Sequence, residues 1–382
     1  MQEELTALRR EFHRYPEVSF QEFKTADRIA HYLNGLGIEV QRGIGKTGVV
    51  GLLKGDKPGK TVALRADMDA LSLTEERQWE YASLHEGVMH ACGHDGHLAI
   101  VLGAAKILNQ KKAEISGQVK FIFQPAEEKV EGAELMIKEG VLDNPRVDAI
   151  FGLHLQPDLP AGTVGIKYGP MMAASDLIQI IIKGKGGHGA APHQGINAIV
   201  VAAQVINALQ TIPAQQIDPL ENIVVSIGTI KGGQRYNIIA DQVKILGTVR
   251  TLREDTRNQV EELIERIIQG VTAGMGAQYE FRYVRGCPVV KNHLATTQLV
   301  EKVAKELVGE KKTIVQDRPV LLGEDFACYL EQIPGTYFWL GTRNEAKDCI
   351  YPLHHPLFNL DEEVLPLGAE LLSKIALEYL NT

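Results

Sequence analysis

Cysteine is scarce in this 382-residue chain: Cys92, Cys287, Cys328 and Cys349 stand far apart. Such a count excludes a disulfide-dense scaffold. Aromatic residues make up only 6%, and basic residues cluster no further than pairs such as Lys111-Lys112 and Lys311-Lys312. With a formal net charge of −8 the chain lacks the electrostatic footprint of a nucleic-acid binder. No apolar run approaches the ~20 residues of a membrane span. The first ten residues are charged and helical in pattern, without the residue order of a signal peptide. There is no low-complexity tract, long charged tail or short-period repeat. The expectation is a cytoplasmic protein with reduced thiols, no nucleic-acid partner and no membrane association.

Against that scarcity, His90-Ala-Cys-Gly-His-Asp-Gly-His97 gathers one thiol and three imidazoles into eight residues. Thiolate with imidazole is a preferred donor set for zinc and related divalent ions. Cys92 and His94 suit one metal centre if the backbone turns between them. Gly93 and Gly96 let the chain bend there without a side chain in the way.

The apolar content, 45%, is ordinary for a globular protein, and the length allows two or three domains. Helical spacing covers Leu5 to Leu36, interrupted by proline in His13-Arg-Tyr-Pro-Glu17. Short strands are expected at Val49 to Lys54, Thr61 to Ala66, Gln118 to Gln124 and Asp148 to Leu153. Helices fall at His97 to Leu108 and Glu131 to Glu139. Such alternation predicts a mostly parallel sheet with helices on both faces. From Asp176 the order becomes strand, helix, two strands, helix, strand, ending at Val284. This is the pattern of a ferredoxin-like module. After Pro288 helices and strands alternate again, and the chain closes on a helix from Val364 to Leu380. The expected organisation is an α/β domain from 1–175 and 289–382, with an inserted α+β domain at 176–288.

Open α/β sheets bind ligands at the carboxyl ends of their strands. Three expected strands run into Asp67-Met-Asp69, Pro125-Ala-Glu-Glu128 and His154. In extended backbone, neighbours such as Glu127 and Glu128 point to opposite sides, so one can face a metal and the other a water. Asp67 and Asp69 suit either metal ligation or the orientation of a ligand imidazole, a role favoured for Asp69. Leu353-His-His-Pro-Leu-Phe358 places two further histidines before a stiffening proline. In the middle module, His188 sits in a glycine-rich loop from which it could stabilise charge on a carbonyl oxygen. Asn237 and Arg250 are candidates for gripping a carboxylate.

Taken in order, Arg65-Ala-Asp-Met-Asp-Ala-Leu71, the His90–His97 stretch, Gln124-Pro-Ala-Glu-Glu128, Gly152-Leu-His154, Gly184-Lys-Gly-Gly-His-Gly189, Gly247-Thr-Val-Arg250, Gly323-Glu-Asp-Phe326 and His354-His-Pro resemble a known pattern. It is that of the metal-dependent aminoacylase/carboxypeptidase superfamily, in its hippurate hydrolase and N-acyl-amino-acid amidohydrolase branch, which includes N-acetyldiaminopimelate deacetylases. The resemblance spans nearly the whole chain. It implies hydrolysis of the amide bond of N-acetyl, N-benzoyl or similar amino acids. It implies two divalent ions per subunit, of zinc, manganese, nickel or cobalt, held by Cys92, His94, Glu128, His154 and His354. Glu127 then corresponds to the general acid/base, and His188 to an oxyanion-stabilising histidine given by a partner subunit. Asn237 and Arg250 fall where relatives contact substrate, and the inserted module is the lid through which relatives dimerise. Leu98, Ser72 and Ala240 depart from the residues usual in that branch, and none removes a ligand or base. A dipeptidase or metallocarboxypeptidase using the same centre, and a ligand-binding protein that has kept the fold, are the competing readings.

Overall fold

The computed structural model describes residues 1–381. They pack as two compact units. The first takes Met1–Met171, Val290–Pro319 and the chain from Asp325 on; the second takes Met172–Val289 with Val320–Glu324.

The first unit is built on an eight-stranded sheet. Its strands lie in the order Glu39–Ile44, Gly48–Lys54, Ser116–Gln124, Lys57–Asp67, Ala149–Pro160, Gly335–Arg343, Val164–Ile166 and Thr313–Val315. The four from Ser116–Gln124 to Gly335–Arg343 run parallel, as the strand–helix alternation predicts. Antiparallel pairings flank them on both sides. Side chains alternate along each strand. Val62, Leu64, Phe121, Phe123, Phe151, Leu153, Phe338 and Leu340 enter one large core with five helices: Gln2–Arg14, Phe23–Gly35, His94–Gln110, Leu294–Val308 and Leu365–Leu380. On the other face, Phe326 of the short helix Phe326–Leu330 stacks on Tyr337 with ring centroids 4.7 Å apart. Tyr329 of the same helix reaches Met136 in helix Gly132–Lys138. Each such side chain, fully buried, contributes roughly 1.5–3 kcal/mol.

Helix His94–Gln110 is buried almost all round, lying against the sheet and against helices Gln2–Arg14 and Leu365–Leu380. A surface helix shows one apolar stripe; this one has none because only a few residues near its carboxyl end, such as Lys106 and Gln110, reach solvent. That burial fixes its amino end, where the His90–His97 motif sits.

Several elements differ from their sequence expectation. Strand Ala149–Pro160 extends well past Leu153, because Gly335–Arg343 pairs with it along nearly its whole length. His154 therefore lies within a strand rather than after one. Glu39–Ile44, Val164–Ile166 and Thr313–Val315 are short edge or near-edge strands with little apolar alternation to announce them.

The second unit has a four-stranded antiparallel sheet in the order Ile223–Gly232, Gln242–Thr251, Ala174–Lys183, Gln278–Arg285. Helices Ala198–Leu209 and Glu254–Gly274 pack on it through Val201, Val205, Val260 and Ile264 against Ile178, Ile180, Ile182 and Ile245. The order is the ferredoxin-like one. The stretch Ala198–Gln216 is long and apolar enough to cross a membrane. Yet Val201, Ala202, Val205 and Leu209 belong to this unit's core. Val320–Glu324 joins the second unit although the sequence places it with the first. Ala173 N donates to Leu322 O at 2.9 Å, and a Cβ on Gly323 would stand 2.9 Å from Ser175 Cβ. Such short, distant pairings leave no periodicity to read.

Candidate metal centre

Gly93 adopts φ +85 and caps helix His94–Gln110. This left-handed residue costs little only as glycine. It turns the backbone so that Cys92, before the helix, and His94, its first residue, face the same space. His94 Nδ1 donates to the Asp69 carbonyl oxygen at 2.8 Å. His154 Nδ1 donates likewise to Leu155 O at 2.8 Å. With Nδ1 committed, each ring aims its Nε2 at the thiol side, and Cys92 Sγ lies 3.5 Å from His154 Nε2. Fixing one ring nitrogen to set the other for a metal is the usual arrangement around ligand imidazoles.

Of the donor groups whose ligand atoms lie within 4.8 Å of one another, two contain the thiol: Cys92, His94 and His154, and Cys92, Glu128 and His354; His94 also groups with Asp67 and His97, and with Glu127 and Glu128. Glu128 Oε1 lies 3.4 Å from His354 Nε2 and 4.0 Å from His94 Nε2. Among the described residues, His94 Nε2 and Glu128 Oε1 are buried without a hydrogen-bond partner. Buried polar atoms are almost always partnered, so these orphans fit an ion. Sulfur, nitrogen and oxygen donors of this kind suit divalent transition metals.

The charges point the same way. Burial opposes a charge on His94, but Asp67, Cys92 and Asp69 overcome it and raise the imidazole well above its usual range. His354, beside Cys92 and Glu128, is raised to about 10. Burial and the Glu128 carboxylate push the Cys92 thiol up. The site thus favours positive charge at His94 and His354, whether supplied by protons or by metal. Burial and neighbouring His97 hold His154 well below the usual range, and so neutral.

Glu127 and Glu128 are not in extended backbone. They lie in a turn after strand Ser116–Gln124, entered by Ala126 at φ +55 and closed by a bond from Val130 N to Glu127 O. Both carboxylates therefore approach the same imidazole, each 4.0 Å from His94 Nε2. The cause is a set of carboxylates behind the turn. Asp69 accepts from Glu127 N at 3.0 Å and Glu128 N at 3.1 Å, and from Ser19 Oγ at 2.6 Å. Glu22 accepts from Ala126 N at 3.0 Å and from Thr47 Oγ1 at 2.6 Å. Three successive amides are held by two buried carboxylates. Asp69 thus orients His94 through its main chain, while its side chain, 3.6 Å from His94 Nδ1, shapes the glutamate turn.

The other histidines of the motif part company. His97 Nδ1 donates to Asp67 Oδ1 at 2.6 Å, and its Nε2 accepts from Leu155 N at 2.9 Å. With both nitrogens engaged it has no lone pair for a metal. His90 is fully buried and in no donor triad among the described residues. Of the carboxy-terminal pair, His354 faces the cluster, whereas His355 accepts from Leu357 N and stacks on Tyr351. Ser19 and Glu22 carry no sequence signal, since a residue holding a distant loop has no characteristic spacing.

In the second unit, His188 and Asn237 come together. His188 pairs with Ile238, and Gly189 N donates to Asn237 O at 2.9 Å. His188 and Asn237 are exposed. Arg250 is half-buried on the strand Gln242–Thr251, close to Gly323. The His188 loop leaves the sheet beside the Lys183–Gln242 pair, the opposite end of that strand from Arg250. At about 3.3 Å per residue this separates the two ends by roughly 25 Å.

A model of the peptidase family M20/M25/M40 matches residues 63–378. The chain is 44% identical to Thermostable carboxypeptidase 1 of Saccharolobus solfataricus, over 98% of this chain and 95% of the relative. It is 48% identical to the N-acyl-L-amino acid amidohydrolase of Geobacillus stearothermophilus, over 76% of this chain and 78% of the relative. Among solved structures, the Bacillus subtilis YXEP protein, described as a dinuclear metal-binding peptidase, superposes with a TM-score of 0.87 at 40% identity, covering 100% of this chain and 99% of that one. Matched along most of its length in both sequence and structure, this chain belongs to the peptidase family M20/M25/M40.

Proposed function

We propose that the chain is a metal-dependent amidohydrolase that cleaves the amide bond of N-acyl amino acids, releasing a carboxylate and the free amino acid. The observation that carries this reading is the pair of donor triads sharing Cys92, with Glu127 beside them. Two divalent ions per subunit fit Cys92, His94, Glu128, His154 and His354; when bound they polarise an acyl carbonyl and ready water for attack near neutral pH. Glu127 ligates neither ion in this reading. Its carboxylate takes the proton of the attacking water and returns it to the departing amide nitrogen. Asp69 and Glu22, gripping the turn, keep that carboxylate aimed. The named activity of the Geobacillus relative supports an N-acyl amino acid as substrate.

His188 donates to the developing oxyanion, and Asn237 and Arg250 bind the substrate's polar groups. His188 lies in a loop beyond one end of the four-stranded sheet and Arg250 near the other end, too far apart for one small substrate. They are therefore supplied by different subunits of a homodimer built through the second unit. Ile199, Val200, Ile230, Ile238 and Tyr236, all exposed there, furnish apolar surface for it. Cys92 and Cys349, both thiols outside any disulfide, fit a reducing, cytoplasmic setting.

The test is Glu127→Gln. Metal content should stay at two ions per chain while turnover of an N-acetyl amino acid falls by about three orders of magnitude or more. Near-normal turnover removes the assigned role. A carboxypeptidase reading has support in the Saccharolobus relative's name. Parallel assays with an N-acetyl amino acid and a blocked dipeptide separate the two by which releases free amine faster.

A further inference from the structure

We infer that Arg77 is the positioning residue for His354, and thereby governs one of the two ion sites without touching either ion. The inference rests on the two-ion reading above. His354 differs from the other donors. Its side chain is 53% exposed, so packing does not hold it. Its backbone stands at φ +62, a left-handed conformation disfavoured for a non-glycine residue. The run from Ile350 to Leu360 has no helix or strand. Something outside the segment must hold it in place.

Arg77 meets both ends of that segment. Its Nε donates to Leu357 O at 2.9 Å, three residues after His354. Its Nη2 donates to Asp348 O at 2.9 Å, and Nη1 binds the Asp348 carboxylate. Asp348 is itself left-handed, at φ +53. The guanidinium also lies over Tyr351, 5.1 Å from the ring centroid, and Tyr351 stacks on His355 at 4.8 Å. Two neighbouring main-chain bonds complete the clamp: Glu76 N to Pro356 O at 3.0 Å, and His354 N to Ala91 O at 2.8 Å.

The segment that carries Arg77 is anchored in turn. Glu75 accepts from Trp79 Nε1 at 2.8 Å and Ser83 N at 2.7 Å. The Arg77 side chain is only 15% exposed, and its bond to Leu357 O is partly buried, while its bonds to Asp348 lie at the surface. A planar fork reaches three acceptors on two chain segments; a lysine, with a single point of attachment, does not. None of these contacts reaches Cys92, His94 or His154. Loss of Arg77 therefore weakens the Cys92–Glu128–His354 site and spares the other. If the competent loop falls to roughly a tenth or less of the population, the apparent dissociation constant there rises about tenfold or more.

The experiment titrates metal-free full-length protein with cobalt(II), following the thiolate-to-cobalt absorption and the ion content after desalting. Wild type should take up two ions. Arg77→Ala and Arg77→Gln should keep one tightly, with the thiolate band present, and require at least tenfold more cobalt for the second; Arg77→Lys should fall between. Combining Arg77→Ala with His354→Ala should weaken cobalt binding no further than His354→Ala alone. Two ions bound by both Arg77→Ala and Arg77→Gln with wild-type affinity would overturn the inference, as would loss of both ions in Arg77→Lys. A wild type that takes up fewer than two ions fails for a different reason: it removes the two-ion reading itself.

Discussion

The two halves of the donor cluster share a thiol and little else. Cys92, His94 and His154 are buried, on or beside a helix and a strand of the main core, and both rings are fixed by backbone carbonyls. Glu128 and His354 come from a turn and an irregular segment, each with left-handed non-glycine residues, and His354 is largely open to solvent. In the first half the fold positions the donor groups as a by-product of its packing. In the second, individual side chains do so: Asp69 and Glu22 for the glutamate turn, Arg77 for the histidine segment. The ion in the buried half should accordingly bind tightly and exchange slowly, and its neighbour should come and go.

The most severe way to break this asymmetry is Cys92→Ala, because the thiol serves both halves. Ion content should fall from two towards zero, with amide hydrolysis lost alongside; elemental analysis after gel filtration reads this. Next comes a paired substitution. His154→Ala and His354→Ala should each cost one ion, but only the first should also destabilise the metal-free chain, by roughly 1–3 kcal/mol in denaturant melts. Equal destabilisation by both would erase the distinction between the halves. A graded chelator series should strip the protein in two phases. Each ion at about 100 times its dissociation constant adds roughly 2.7 kcal/mol, so the melting temperature should step down twice.

Glu22→Ala sharpens the comparison from the side of the turn. It leaves the Ala126 amide unpaired, and kcat should drop about tenfold, equivalent to about 1.4 kcal/mol, with both ions retained. The last effect vanishes at neutral pH and appears only in acid. Burial pushes His90, in the same motif as the buried ligands, down to about 3. Its native state is neutral and its unfolded state titrates near 6.5, so stability is complete above pH 6.5 and declines as pH falls towards 3. The slope is at most about 1.4 kcal/mol per pH unit from this group. His90→Phe should flatten the melt-against-pH curve between pH 6 and 4 by about that amount.

The same division explains what could be read from the chain alone. The parallel sheet, the ferredoxin-like module and helix His94–Gln110 announce themselves through apolar periodicity, since packing repeats along each element. The Cys92–His94 pair was legible because a glycine marks the turn between them. The Glu127–Glu128 geometry was not: alternation along an extended strand was expected, and the turn is imposed by Asp69 and Glu22, some sixty and a hundred residues away. The separate fates of His90, His94 and His97 were equally hidden, because each depends on which distant group meets the second ring nitrogen. Short strands such as Val164–Ile166 and the Val320–Glu324 crossing carry too few residues for a period to show.

Anomalous diffraction from crystals grown with excess manganese(II) tests the central claim most directly. Two peaks per chain should appear, both within bonding distance of Cys92 Sγ, one joined to His94 and His154 and the other to Glu128 and His354. A single peak, or two peaks of which only one contacts the thiol, would contradict the account.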